Sequence, residues 1–169
     1  MIKAIATSLL LFFVLSISAQ QSQKAPCDTK KNKEFDFWSG NWNVYDTKGK
    51  LIGTNKIIKM QSGCVMQENW ESKVGPSKGT SYNYVDKNDN TWNQVWIDNA
   101  GLSLVLKGNL MDGKMVLKSD LVKGKQGDYY NRVIWTPNSD GSVTQVWDYL
   151  NKKGKVIQEA FRGIYKKKN

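Results

Sequence analysis

The sequence predicts an all-β fold: a single up-and-down antiparallel β-barrel of about ten strands, with a short N-terminal helical plug. Three observations carry that expectation. Turn-forming clusters of Gly, Asn, Asp and Pro recur about every ten to fifteen residues from Gly40 onward. The segments between them are rich in Val, Ile, Tyr, Trp and Thr, which suit a pleated surface. No interval carries the pattern of a long amphipathic helix. A flat meander of this length would leave two unpaired edges, and closure into a barrel removes them. A two-sheet sandwich is the runner-up architecture.

The chain of 169 residues divides into three parts. Residues 1–19 read as a signal peptide, with Lys3 as a basic start, an apolar run from Leu9 to Ile17, and Ser18-Ala19-Gln20 as the small-residue cleavage region. The run falls short of the ~20 residues a spanning helix needs, so no membrane span is expected. Residues 20–33 read as a linker, and residues 34–169 as the barrel domain. Export to the periplasm or the extracellular space follows from the signal. In that setting the two cysteines, Cys27 and Cys64, are expected to form a disulfide; a free or metal-binding pair is the alternative.

The mature domain opens on Phe35-Asp36-Phe37-Trp38-Ser39-Gly40-Asn41-Trp42. Phe35, Phe37 and Trp38 are expected to close one end of the barrel, Gly40 to turn the chain, and Trp42 to begin the first strand. Arg162, on the last strand, is expected beside Trp42 as a cation–π partner, because closure brings first and last strands together. These roles are structural. Further along, Leu102, Leu104 and Leu106 share one face, and Met115, Leu117 and Leu121 oppose Lys114, Lys118 and Asp120, the period-two pattern of half-buried strands. A weak repeat pairs Gln94-Val95-Trp96 with Gln145-Val146-Trp147, each on the second strand of a hairpin.

Composition excludes several function classes. The formal net charge is +10, but the lysines sit in turns and in the tail Lys166-Lys167-Lys168, and arginine is scarce. A solvated surface is expected rather than nucleic-acid binding. There is no histidine, which removes the commonest metal ligand and the commonest general base at neutral pH. No metal and no cofactor is expected. Paired-carboxylate glycoside chemistry has nothing to fix its geometry.

The candidate site lies on the strands. Between Cys64 and Ser72, Met66, Glu68 and Trp70 share a parity opposite to the polar Gln67, Asn69 and Glu71, so Glu68 falls on the apolar face. A buried carboxylate must be paired or protonated. Arg132 is the expected partner, a mid-strand arginine suited to bidentate pairing with Glu68 or with an acid on a ligand. Gln94, Trp96 and Asp98 share one face, as do Gln145, Trp147 and Tyr149. If these faces point inward, Glu68, Trp70, Gln94, Trp96, Asp98, Arg132, Gln145 and Trp147 form an aromatic box with convergent polar groups, the usual composition of a ligand pocket.

Gly40-Asn41-Trp42 together with Arg162 resembles the Gly-x-Trp and closing arginine of the lipocalin/calycin superfamily. The chain also resembles a family of bacterial, often exported proteins of no assigned activity that open with Phe-x-Phe-Trp-x-Gly-x-Trp. Gly63-Cys64-Val65-Met66-Gln67-Glu68-Asn69-Trp70 fits that family's Gly-Cys-x-x-x-Glu-x-Trp, and Trp92-Asn93-Gln94-Val95-Trp96-Ile97-Asp98 its Trp-x-Gln-x-Trp-x-Asp. Gly79-Thr80-Ser81-Tyr82-Asn83-Tyr84-Val85-Asp86 fits a third motif, with Val85 where the family has tyrosine. The resemblance implies a lipocalin-like barrel and no particular activity.

The expected function is an exported barrel that binds a hydrophobic or aromatic small molecule with a polar anchor inside, acting as a monomer or weak homodimer. The alternatives are a lyase, isomerase or cyclase using Glu68 as acid or base and Arg132 to steady an anion, and a structural barrel with a filled interior.

Overall fold

The computed structural model describes residues 25–168. The expected signal peptide and residues 20–24 of the expected linker lie outside them. Ten antiparallel strands form one closed barrel: β1 Gly40–Tyr45, β2 Leu51–Met60, β3 Val65–Ser72, β4 Lys78–Asp86, β5 Thr91–Asp98, β6 Ser103–Met111, β7 Lys114–Lys118, β8 Tyr130–Pro137, β9 Val143–Leu150 and β10 Val156–Lys167. Each pairs with its neighbour in sequence, and β1 closes on β10 with Trp42 opposite Lys167 and Val44 opposite Tyr165. The all-β expectation and the plug both hold.

The alternation seen in the sequence sets the inside. Trp42 and Val44 on β1, Met66 and Glu68 on β3, Trp92 and Gln94 on β5, Met115 and Leu117 on β7, and Val133 and Trp135 on β8 are all buried. Their odd-even partners face outward, as period two demands.

The plug fills one end. Two single-turn 3-10 helices, Lys31–Lys33 and Asp36–Trp38, lead into β1. Phe35 and Trp38 are fully buried and lie nearly parallel, ring centroids 5.0 Å apart. Phe35 meets Trp92 and Trp135 edge-on at 5.6 and 5.1 Å, the offset geometry that aromatic quadrupoles favour. The Trp42 indole N–H donates to Trp38 O at 2.9 Å, which locks plug to strand. Gly40 turns the chain out of the plug at φ +129°, a backbone conformation that favours glycine.

The expected contact between Arg162 and Trp42 does not form. Arg162 projects from the outer face of β10 and pairs with Glu159 at 2.5 Å. The cation over Trp42 is Lys167, with Nζ 3.9 Å from the ring centroid. Parity explains the difference: Tyr165 and Lys167 share the inward face of β10, whereas Arg162 has the other parity.

From Cys27 on, the expected linker is docked on the barrel. Cys27 and Asn32 are buried, and Lys31 Nζ donates to Asn109 Oδ1 on β6 at 2.7 Å. Glu34 accepts from Lys31 at 2.8 Å and from the Trp92 indole at 3.1 Å. The Cys27–Cys64 disulfide, spanning 37 residues, ties this segment to the chain entering β3. Closing a loop of that length stabilises by about 4 kcal/mol in the chain-entropy account. The double variant Cys27→Ser, Cys64→Ser is therefore expected to lose about 4 kcal/mol of unfolding free energy while keeping a β-sheet far-UV spectrum. Urea denaturation followed by tryptophan fluorescence measures it.

Candidate functional site

The end of the barrel opposite the plug is hollow. A cavity of about 390 Å³ opens there between the β3–β4 and β5–β6 turns, within the size range of small-molecule sites. Its walls are Trp70, Trp96, Trp147 and Phe161, with Ile52, Leu102, Leu104 and Val74 toward the mouth. Its floor is Glu68, Gln94, Val133, Gln145 and Tyr165.

The indoles line the wall because glycines on neighbouring strands let them lie flat. A Cβ on Gly53 of β2 would fall 2.1 Å from the Trp70 ring, and one on Gly79 of β4 would fall 2.2 Å from the Trp96 ring. Any side chain at either glycine would drive the indole into the lumen. Phe161 packs edge-on against Trp70, ring centroids 5.8 Å apart. Trp147 is anchored by its N–H, which donates to Asn131 Oδ1 at 2.9 Å.

A layer of polar side chains separates the cavity from the plug. Glu68 is 4 % exposed. It accepts from Asn55 Nδ2 at 2.6 Å and from the Ser81 hydroxyl at 2.7 Å. Asn83 donates to Ser81 Oγ at 2.9 Å and to Met66 O at 3.2 Å, and Gln94 donates to Asn83 Oδ1 at 2.8 Å. The Tyr165 hydroxyl donates to Gln145 Oε1 and lies 3.5 Å from Asn55 Nδ2. The layer is short of donors: Asn55 Oδ1 is buried with no partner.

No lysine or arginine lines the cavity, and Glu68 has no ion pair among the described residues. Burial therefore dominates its ionisation and pushes its carboxyl up to about 7, against the hydrogen bonds from Ser81 and Asn55. The same burial, with the nearby Glu68 charge, holds the Tyr165 phenol well above its usual range, so it stays neutral.

The structure brings together seven of the eight side chains expected at the site: Glu68, Trp70, Gln94, Trp96, Asp98, Gln145 and Trp147 all line the cavity. Asp98 stands at the mouth, where its Oδ1 accepts from the backbone N–H groups of Ala100 and Leu102, each at 2.9 Å, and shapes the β5–β6 turn. Arg132 is the exception. Val133 and Trp135 occupy the inward positions of β8, so Arg132 faces out and pairs with Asp148, directly across on β9, at 2.6 Å. It neither meets Glu68 nor reaches the lumen.

Sequence reasoning missed Asn55, Ser81, Asn83, Tyr165 and Phe161. A signal existed for three of them. Asn55 shares parity with Gly53 and Ile57, and Ser81 and Asn83 share parity with Gly79. Hydrophobicity misleads on β4, where the aromatic Tyr82 and Tyr84 are exposed and the polar residues between them are buried.

Comparison with protein-family models and with curated protein sequences finds no match. Among the described residues no cluster of three or more His, Cys, Asp or Glu is placed to hold a metal ion.

The raised Glu68 carboxyl makes stability depend on pH. Because the folded chain holds this proton more tightly than the unfolded one, the contribution of Glu68 to stability is greatest below about 4.5, falls as pH rises, and levels off above about 7. The loss is about 3 kcal/mol for a shift of this size. The chain has no histidine, the side chain whose ordinary pKa falls in that interval. Glu68→Gln is expected to flatten the profile of unfolding free energy over that interval, measured by denaturant titration at a series of pH values.

Proposed function

We propose that the protein is an exported carrier or sensor that binds an apolar or aromatic small molecule in the open half of its barrel. One observation carries this reading: the end of the barrel opposite the plug is hollow, and it combines three indoles and a phenyl ring with a polar floor. A barrel built only for scaffolding gains stability by filling its interior, as the plug end does. The two glycines that hold Trp70 and Trp96 against the wall preserve the space at the cost of strand stability. Action outside the cytoplasm is supported by the signal-like segment over 1–19 and by the disulfide, which fits an oxidising compartment. Among the described residues no helix is long and apolar enough to cross a membrane. The resemblance to lipocalin-like barrels agrees with a carrier. Catalysis with Glu68 as the proton-moving group would lack its anion stabiliser, because Arg132 lies on the outer surface.

Titration with pooled apolar and aromatic compounds, followed by tryptophan fluorescence and thermal unfolding, tests the reading. A true ligand is expected to give saturable quenching and about 2.7 kcal/mol of added stability at a hundredfold excess over Kd. Absence of both responses across the pools would sink it.

Gly79→Ala supplies the matching structural test. The new methyl must displace the Trp96 ring toward the lumen, at a cost of about 1–3 kcal/mol for overpacking. The variant is expected to fold but to bind any ligand found in the pools at least about tenfold more weakly, a change of about 1.4 kcal/mol. Calorimetric titration reads the difference.

A further inference from the structure

The charges that face the cavity all have one sign. Its ionisable lining groups are Glu68 at the floor, Asp98 at the mouth and the phenol of Tyr165; no cation lines it. Glu68 has only neutral partners, two donors from Asn55 and Ser81, and each carboxylate oxygen keeps a lone pair beyond them. A buried carboxylate satisfied by neutral donors alone still lacks a counter-charge, and a cation delivered by a ligand would supply it. Above it stand the indoles of Trp70, Trp96 and Trp147, whose negative π faces favour a cation and tolerate an aromatic or alkyl body.

We propose that this cavity takes an organic cation, an arylalkyl or alkyl ammonium whose charged nitrogen sits at Glu68 and whose apolar body lies among the three indoles. The inference rests on the reading of the barrel as a binding protein and names the chemical class of its ligand. An anionic ligand would meet two carboxylates and no lysine or arginine. A neutral apolar ligand would fill the space but leave Glu68 uncompensated. The lysines of the open-end turns do not reverse this preference. Lys73 and Lys78 pair with Glu71, and Lys123 and Lys152 with Asp128; Lys48, Lys50, Lys125, Lys153 and Lys155 stand on the same turns and do not line the cavity. Rim charges set the rate of approach and are screened by salt, whereas the buried charge at the floor decides what stays.

Proton linkage follows from the same geometry. Of the groups facing Glu68 from β2, β4, β5 and β10, namely Asn55, Ser81, Gln94 and Tyr165, only Tyr165 can titrate, and it stays neutral. A bound ammonium holds Glu68 ionised, so binding below about pH 7 expels a proton and affinity rises with pH while the amine stays charged.

The test uses the full chain and three probes with one benzene ring and matched heads: phenethylamine as its ammonium ion, neutral propylbenzene, and phenylpropanoate. Tryptophan quenching gives the affinities. The ammonium is expected to bind about tenfold or more tighter than propylbenzene near pH 7.5, with phenylpropanoate weakest. In Glu68→Gln the ammonium-to-neutral ratio is expected to fall to about threefold or less. If that variant does not fold, the wild type alone decides. Calorimetry near pH 6 in two buffers of different ionisation enthalpy is expected to show a proton released with the ammonium and none with propylbenzene. Equal affinity for ammonium and neutral probe, tightest binding of the carboxylate, or no proton release would overturn the cation assignment and leave the binding reading standing. Failure of all three probes, together with silence from the wider pools, would overturn both.

Discussion

A barrel of ten strands encloses more space than its own inward side chains fill along its whole length, and the rest of this structure depends on how that surplus is handled. At one end the chain brings in extra material. Phe35 and Trp38, carried on the segment before β1, pack against Trp92 and Trp135. The disulfide and the contacts of Lys31 and Glu34 hold that segment in place. At the other end no described segment enters, and glycine on β2 and β4 lets the indoles lie along the wall instead of across the lumen. The barrel is therefore two half-interiors of opposite kind within one sheet.

The boundary between them is polar, and its chemistry follows from its position. A polar layer in mid-barrel has little access to water from the plug side, so its members must satisfy one another. Asn55, Glu68, Ser81, Asn83 and Gln94 do so in an unbroken chain across β2 to β5, and Gln145 and Tyr165 pair across β9 and β10. Hydrogen bonding is met within the layer except at Asn55 Oδ1; charge is not. Glu68 could have been matched by an arginine on the same layer, yet Arg132 on β8 is turned outward to Asp148. Glu68, the carboxylate that burial shifts most among the described residues, thus stands where a cavity floor meets the layer.

Most of the fold was legible because its signals are local. Turn residues and period-two strands mark each hairpin, and an antiparallel meander needs little else to define it. The site was legible where parity could be read against clear apolar neighbours: Glu68 between Met66 and Trp70, Gln94 between Trp92 and Trp96. It failed at Arg132 and Arg162, for one reason. Both were placed by what an arginine can do rather than by the parity of Val133, Trp135 and Tyr165 beside them. Ser81 and Asn83 were hidden because hydrophobicity misleads on β4, where the larger Tyr82 and Tyr84 are exposed. The plug's depth and the hollow half-interior depend on contacts between residues far apart in sequence, and the flat indoles on glycines of the adjoining strand, so no pattern within one strand encodes them.

The arrangement also sets a direction for the coupling between occupancy and stability. An ionised Glu68 destabilises the empty barrel, because burial penalises its charge and nothing in the lining offsets it. Protonation relieves the penalty, and so does any occupant that compensates or shields the charge. Proton and occupant then compete for one carboxylate, and each weakens the hold of the other by the same factor. An occupant that ignored the carboxylate would stabilise the barrel by mass action alone, equally at every pH. The pH dependence of that stabilisation therefore tells a ligand anchored at the floor from one merely trapped among the indoles.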